Sequence, residues 1–441
     1  GRTNMVSRSR IFSIAIVLAA NSIILTSANA QTDRVTFTKD VLPLLQENCQ
    51  ACHRQGGDNL SGMVAPMSLM NYQEVRPWAK AIVKAIVARD MPPWDATAHT
   101  DGQFENERRL TDAEITTIVN WVETGAARGN PSDAPKPVPF GETDGWYMGE
   151  PDLIVPIESI WVGDDVEDWQ PRFTMEVTAE MLPEPRWIQA VEMRHGSEVV
   201  HHMIASASAP AVGGHPAENF LAGSNAAGEE PTMYPEGFGN LLRAGTKLNG
   251  SMHYHKEVGP GTGVWDQSLI GFKFHPPEIQ IKYKVMRNGI GTGSLGNGSF
   301  DIPPHHADWH VGSSKTFDEP TVLISLHPHM HYRGKSMIYT AYYPDGNTEV
   351  LLDVDRYDYA WQTQYIYKFP KYIPKGTRID VIATFDNSET IKEQVPSLNI
   401  ERAVDFGAAS TDEMMIPWAE WSTIEPDDIP DFLPGALQTQ D

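Results

Sequence analysis

The sequence predicts a multidomain chain, a small all-α domain followed by two antiparallel β-sandwiches. Helical spacing of apolar residues is confined to the region before residue 128. A breaker-rich stretch follows, with Gly129, Pro131, Pro135, Pro137 and Pro139. Beyond it, short runs of Val, Ile, Tyr, Phe and Trp are separated by Gly, Pro and Asp turns. Examples are Ile270 to Phe274, Glu278 to Val285, Val322 to Leu326, Met337 to Tyr343 and Arg378 to Phe385. Strands without helices between them argue antiparallel sandwiches over βαβ units. The expected order is a signal peptide over 1–30, a helical domain over 31–128, a linker over 129–150, sandwiches over 151–300 and 301–425, and a tail over 426–441.

At the start, Arg8 and Arg10 precede an apolar stretch, and Ala28-Asn29-Ala30 supplies a small-x-small cleavage site. This is the pattern of an export signal, so a periplasmic or secreted protein is expected. A retained anchor is the rival reading, but Asn21 and Ser22 break the run short of the ~20 residues a span needs, so no stable membrane span is expected. The net charge of −24 disfavours nucleic acid as a partner, and two cysteines rule out a disulfide-stapled scaffold.

The helical domain opens with Cys49-Gln50-Ala51-Cys52-His53. C-x-x-C-H is the attachment pattern of one covalent c-type haem, two thiols joining the vinyl groups and the histidine ligating the iron. Zinc would need further ligands nearby, and a redox pair would need a βαβ context. Trp78, Ala81, Ile82, Ala85 and Ile86 then mark one face of a helix that Pro92 and Pro93 end at Met91. Thr111-Asp112-Ala113-Glu114 is a capping box that opens a further helix, stopped near Gly125. Met91, on a proline-fixed loop between helices, is the candidate sixth ligand of a small cytochrome c domain, with Met63, Met67 and Met70 as competitors.

Histidine is the informative residue of the strand region, since 12 of 15 lie between His201 and His331. His201 and His202 are adjacent within an apolar strand, so they converge on one ion only if that strand twists or bulges. His253 and His255 follow, then His327, His329 and His331. His329 and His331 share a strand face and suit one metal. Imidazole sets without thiolate suit copper, zinc or iron.

The stretch from about Asp152 to Trp421 resembles the copper type II, ascorbate-dependent monooxygenases, the family of peptidylglycine α-hydroxylating and dopamine β-monooxygenases. The resemblance rests on His201-His202-Met203, His253-Tyr254, His329-Met330-His331-Tyr332-Arg333-Gly334-Lys335 and Asp412-Glu413-Met414, in that order. The whole arrangement is similar to bacterial proteins that join a haem domain bearing Met91-Pro92-Pro93-Trp94 to this module. It implies two coppers on two jelly-roll-like sandwiches. His201, His202 and His253 would hold the electron-transfer copper. His329, His331 and Met414 would hold the catalytic copper, where O2 reacts and a C–H bond is hydroxylated. His255 and His327 have no counterpart in the motifs, and the disulfides of the animal enzymes have none here. Peptides, catechol-like amines and small alkanes remain open as substrates. The expected partners are that substrate, O2, and a soluble cytochrome or quinol-linked electron donor. The competing function is a non-catalytic copper-binding or electron-transfer cytochrome that reuses the fold.

Overall fold

A short helical region precedes an extensive set of antiparallel sheets in the computed structural model, which describes residues 34–57, 60, 63, 65–140, 146–291 and 300–425. The expected export signal and the expected tail lie outside the described residues. Among the described residues no helix is long and apolar enough to cross a membrane.

The helical region contains helices Leu42–Asn48, Tyr72–Val75, Ala79–Val87 and Asp112–Glu123 around Phe37, Leu45, Val75, Ile118 and Trp121. The Thr111–Glu114 capping box forms in both directions. The helix expected to reach Met91 ends at Val87 instead. Arg89 turns left-handed at φ 63° while its N–H bonds Ile86 O and that of Asp90 bonds Ala85 O. That pair of bonds is a Schellman stop, with Arg89 where glycine is usual, so the chain leaves the helix before the prolines act.

The segment beyond Met91 packs on distant strands. Trp94 meets Tyr365 edge-on at 4.9 Å, and Phe104 meets Tyr365 and Tyr367 at 5.5 and 5.0 Å. Backbone bonds from Thr97 N to Asp353 O and from Glu105 N to Ile366 O fasten the same stretch. The described residues from Val35 onward thereby form one compact unit. Asp95 is buried here beside Asp355 and Asp358, and burial pushes its carboxyl up to about 7, Arg356 offsetting only part of the effect. A folded-state value above the unfolded one means stability is lost as pH rises from about 4 through 7. Asp95→Asn should therefore be more stable than the native chain at pH 8, by ~4 kcal/mol, with the gap closing towards pH 4. Thermal melts across that range check it; a gap independent of pH would refute the assignment to Asp95.

The strands form two layered pairs of sheets. In the first pair, Leu153–Pro156, Leu269–Phe274 and Arg186–Arg194 face a sheet of Arg172–Val177, Thr246–His255, Val200–Ala209 and Glu218–Asn225. Val191, Ile270 and Phe272 from one layer meet Met203, Leu248 and Met252 from the other in one core. In the second pair, Met286–Gly289, Met415–Thr423, Thr321–Met330 and Tyr365–Ile373 form one sheet. Trp309–Thr316, Arg378–Phe385, Gly334–Tyr342 and Thr348–Val354 form the other. Strand Thr321–Met330 is buried almost throughout because both faces are covered. Leu323, Leu326 and Met330 enter the second core, while Val322 and Ile324 enter the first. Residues 278–285, expected as a strand, are not one. Pro276 and Pro277 precede them, and the N–H groups of Lys282 and Tyr283 both turn onto Gly237 O, leaving one isolated bridge at Tyr283.

Candidate metal centre

The first histidine group is made by a bulge. Strand Thr246–His255 pairs with Val200–Ala209 so that His253 lies opposite His202, but Tyr254 lies opposite Val200. His201 is the extra residue. Met203, Ala205 and Ala207 point into the core, so regular alternation would send His201 there as well. The irregularity lets it join His202 and His253 on the outer face. The ring centroids of the three lie 4.7 to 5.5 Å apart, and one nitrogen from each falls within 4.8 Å of the others.

Their electrostatics suit a cation. Burial and the neighbouring imidazoles hold His201 down to about 4 and His202 well below its usual value, so both are neutral with lone pairs available. His253 is 1% exposed and its Nε2 lies 2.9 Å from Asp168 Oδ2. That carboxylate accepts Nε2–H and leaves Nδ1, 3.0 Å from His202 Nε2, facing the group. The donor set fits an ion bound through metal–nitrogen bonds of about 2 Å. His255 is half exposed, 3.7 Å from the same Asp168 carboxylate.

The second group sits where the chain crosses between the sheets of the second pair. The rings of His329 and His331 are 5.5 Å apart. His329 donates from Nδ1 to Gln362 Oε1 at 2.6 Å, and His331 Nδ1 lies 3.3 Å from Asp412 O, so each keeps Nε2 for another partner. Burial lowers the two to about 4 and about 3. Met330 pairs with Met415 at the end of the ladder, and His331 and Met414 are the next residues beyond it on the two segments. Met415 is 2% exposed and belongs to the core, whereas Met414 is half-buried. Glu413 ties the two segments together by accepting the backbone N–H groups of His331 (2.8 Å) and Met414 (3.2 Å) on one oxygen. Gly334 closes this corner, since a Cβ there would lie 2.6 Å from Met330 Cβ and 2.9 Å from Tyr357. Lys335, the last residue of that motif, pairs with Asp308. His327 is buried two residues before His329 on the same strand, close enough to depress that imidazole. Its Nδ1 accepts from Arg287 at 2.8 Å, within a cluster that includes Glu229 and Glu420.

In the helical region Cys49 and Cys52 lie close enough for each thiol to feel the other. Burial pushes Cys49 up to about 12. His53 Nδ1 lies 3.2 Å from Met67 O, which leaves Nε2 for a ligand. Met91 lines a cavity of about 290 Å³ with Ile86, Leu110 and Ile115. Ile86 and Leu110 also belong to the helical core, against which Cys49, Met67 and Ile115 pack.

Several residues of these groups carry no sequence signal. Asp168 is 85 positions from His253, and Gln362 is 33 from His329. Tyr359, beside His201 and His331, sits in a loop without a motif.

No family model and no curated protein matches the chain. Among solved structures, a chain of the Cowpea mosaic virus top component covers 62% of this chain and 88% of itself at 6% identity and TM-score 0.27. A chain of Broad Bean Stain Virus covers 61% and 86%, at 6% identity and TM-score 0.26. The Paenibacillus xanthan lyase covers 68% and 28%, at 10% identity and TM-score 0.17. Overlaps this low assign neither fold nor function.

Proposed function

We propose that this chain is an exported redox protein that holds copper at His201, His202 and His253 and passes single electrons through it. A c-type haem on Cys49, Cys52 and His53 would be the donor. The observation that carries the reading is the bulge that gathers three imidazoles, those of His201 and His202 held neutral by their surroundings, with Asp168 orienting the third. Bound copper supplies one-electron chemistry there, and bound haem supplies a store for the incoming electron. His53, oriented by the Met67 carbonyl, would bind the haem iron, and Met91 would supply the second protein ligand.

A second reading is favoured by the His329–His331 pair and by the place of Met414 just beyond the end of the ladder. In it the sheet pairs are two jelly-roll-like sandwiches, and the protein is a dicopper monooxygenase. The balance is RH + O2 + two electrons + two protons giving ROH + water. His329, His331 and Met414 would form the oxygen site, whose thioether suits copper(I). Gln362 and the Asp412 carbonyl hold its imidazoles in one tautomer, and Glu413 fixes the spacing of the two segments that carry it.

Metal analysis with EPR separates the readings. One haem and one Cu(II) support the first; one haem and two magnetically isolated Cu(II) ions support the second; zinc at the trio overturns both. In the dicopper case, Met414→Ala should leave copper at the trio and the haem spectrum unchanged. Substrate-dependent O2 uptake should fall at least ~100-fold. Uptake within a few-fold of the native rate would remove Met414 from the site.

A further inference from the structure

We infer that Tyr359 is the bridge through which an electron passes from the His201 group to the His329–His331 group, an inference that rests on the dicopper reading. Its ring stacks on His201 at a centroid separation of 5.1 Å and 20° between planes, and it meets His331 edge-on at 6.1 Å and 84°. One side chain thus contacts a member of each group, at separations typical of packed aromatic rings.

The position of that ring is held from several directions. Its hydroxyl lies 2.8 Å from Ser410 Oγ and 3.4 Å from His201 Nδ1. Tyr332 packs against it at 4.3 Å. Its carbonyl accepts from Gln362 Nε2 at 3.2 Å, and the same amide takes the His329 proton on Oε1. Two residues earlier, Tyr357 donates its hydroxyl to Met330 O at 2.6 Å and accepts from Met330 N at 3.0 Å, which pins the loop to the strand that bears His329. At the start of the loop, Arg356 donates to Ala88 O and Arg89 O, close in sequence to Met91. A single loop therefore touches both histidine groups and the segment that carries our sixth haem ligand.

The step is a one-electron exchange. With copper held at both groups, the first would give up one electron and the second would take it, and the proton count would not change. In this exchange Tyr359 is neither oxidised nor ionised.

The test uses full-length protein loaded with haem and copper. The two Cu(II) EPR signals are assigned from His253→Ala and His331→Ala proteins, each of which keeps the other site. Copper content, and the freeze-quenched decay of the second signal after reduction through the haem, are then measured. Tyr359→Phe keeps the ring and should decay within about twofold of native, whereas Tyr359→Leu should be slower by about tenfold or more with copper content unchanged. Where Tyr359→Leu does not retain both coppers, Tyr359→Met takes its place. A native rate in either ring-less variant overturns the inference, and so does a Tyr359→Phe protein as slow as they are. Native protein that holds a single copper removes the dicopper reading and the bridge with it. Two coppers with an unaffected ring-less variant removes the bridge alone.

Discussion

His253→Ala protein should bind copper at the trio at least ~100-fold more weakly than native protein, because it loses a ligand and the carboxylate that orients it. His201 and His202 remain, but two adjacent residues on one strand offer no closing donor without the facing strand. Direct pairing of His253 with His202 is what brings that donor to 3.0 Å. Asp168→Asn isolates the smaller share of the effect. The imidazole stays but its tautomer is no longer fixed by a carboxylate, so a loss of ~10-fold or more is expected. Copper titration followed by EPR reads both, with the haem spectrum and the melting temperature as controls. An affinity for copper in His253→Ala within a few-fold of native would mean that the ion sits elsewhere.

The legible features of this chain share one property, a local pattern. The Thr111–Glu114 box and strand Arg378–Phe385 could be read from consecutive residues and are found at those positions. The condition for His201 and His202 to converge, a bulge, also follows from strand geometry alone, and the pairing shifts at that point. What stayed hidden depends on pairs far apart in sequence. Asp168 reaches His253 only because Tyr254 pairs with Trp169 and His255 with Asp168 at the edge of the sheet. Tyr359 and Gln362 have no periodicity to betray them. The docking of Trp94 and Phe104 onto Tyr365 was invisible for the same reason. The two errors arose where local pattern yielded to backbone bonding. Residues 278–285 have strand-like composition, but their N–H groups bond a loop carbonyl at Gly237. The helix after Trp78 stops on its own C-terminal bonds at Arg89.

Replacing both proposed attachment thiols, by Cys49→Ser with Cys52→Ser, should abolish reduction of copper at the trio by a reduced cytochrome while leaving reduction by ascorbate intact. The reason is positional. Trp94 to Asn106 docks on the second sheet pair, where Asn106 donates to Gln364 O at 2.7 Å, and just beyond it Arg108 pairs at 3.0 Å with Glu230, in the loop after strand Glu218–Asn225 of the first pair. A haem in this helical region would thus be held beside the sheets by packing, at an effective concentration that no diffusing reductant matches. Two steps then respond differently to salt. The chain carries a net charge of −24, so a basic cytochrome is the fitting external donor, and its encounter should slow as ionic strength rises. Transfer from haem to copper within the docked unit should not change with salt. The thiol substitutions leave the aromatic docking untouched, so Trp94, Phe104 and the sheets remain in place as the control for folding. Equal loss of reduction by both donors would make the helical region structural. Equal retention would take the haem out of the electron path and leave the copper trio open to direct reduction from solution.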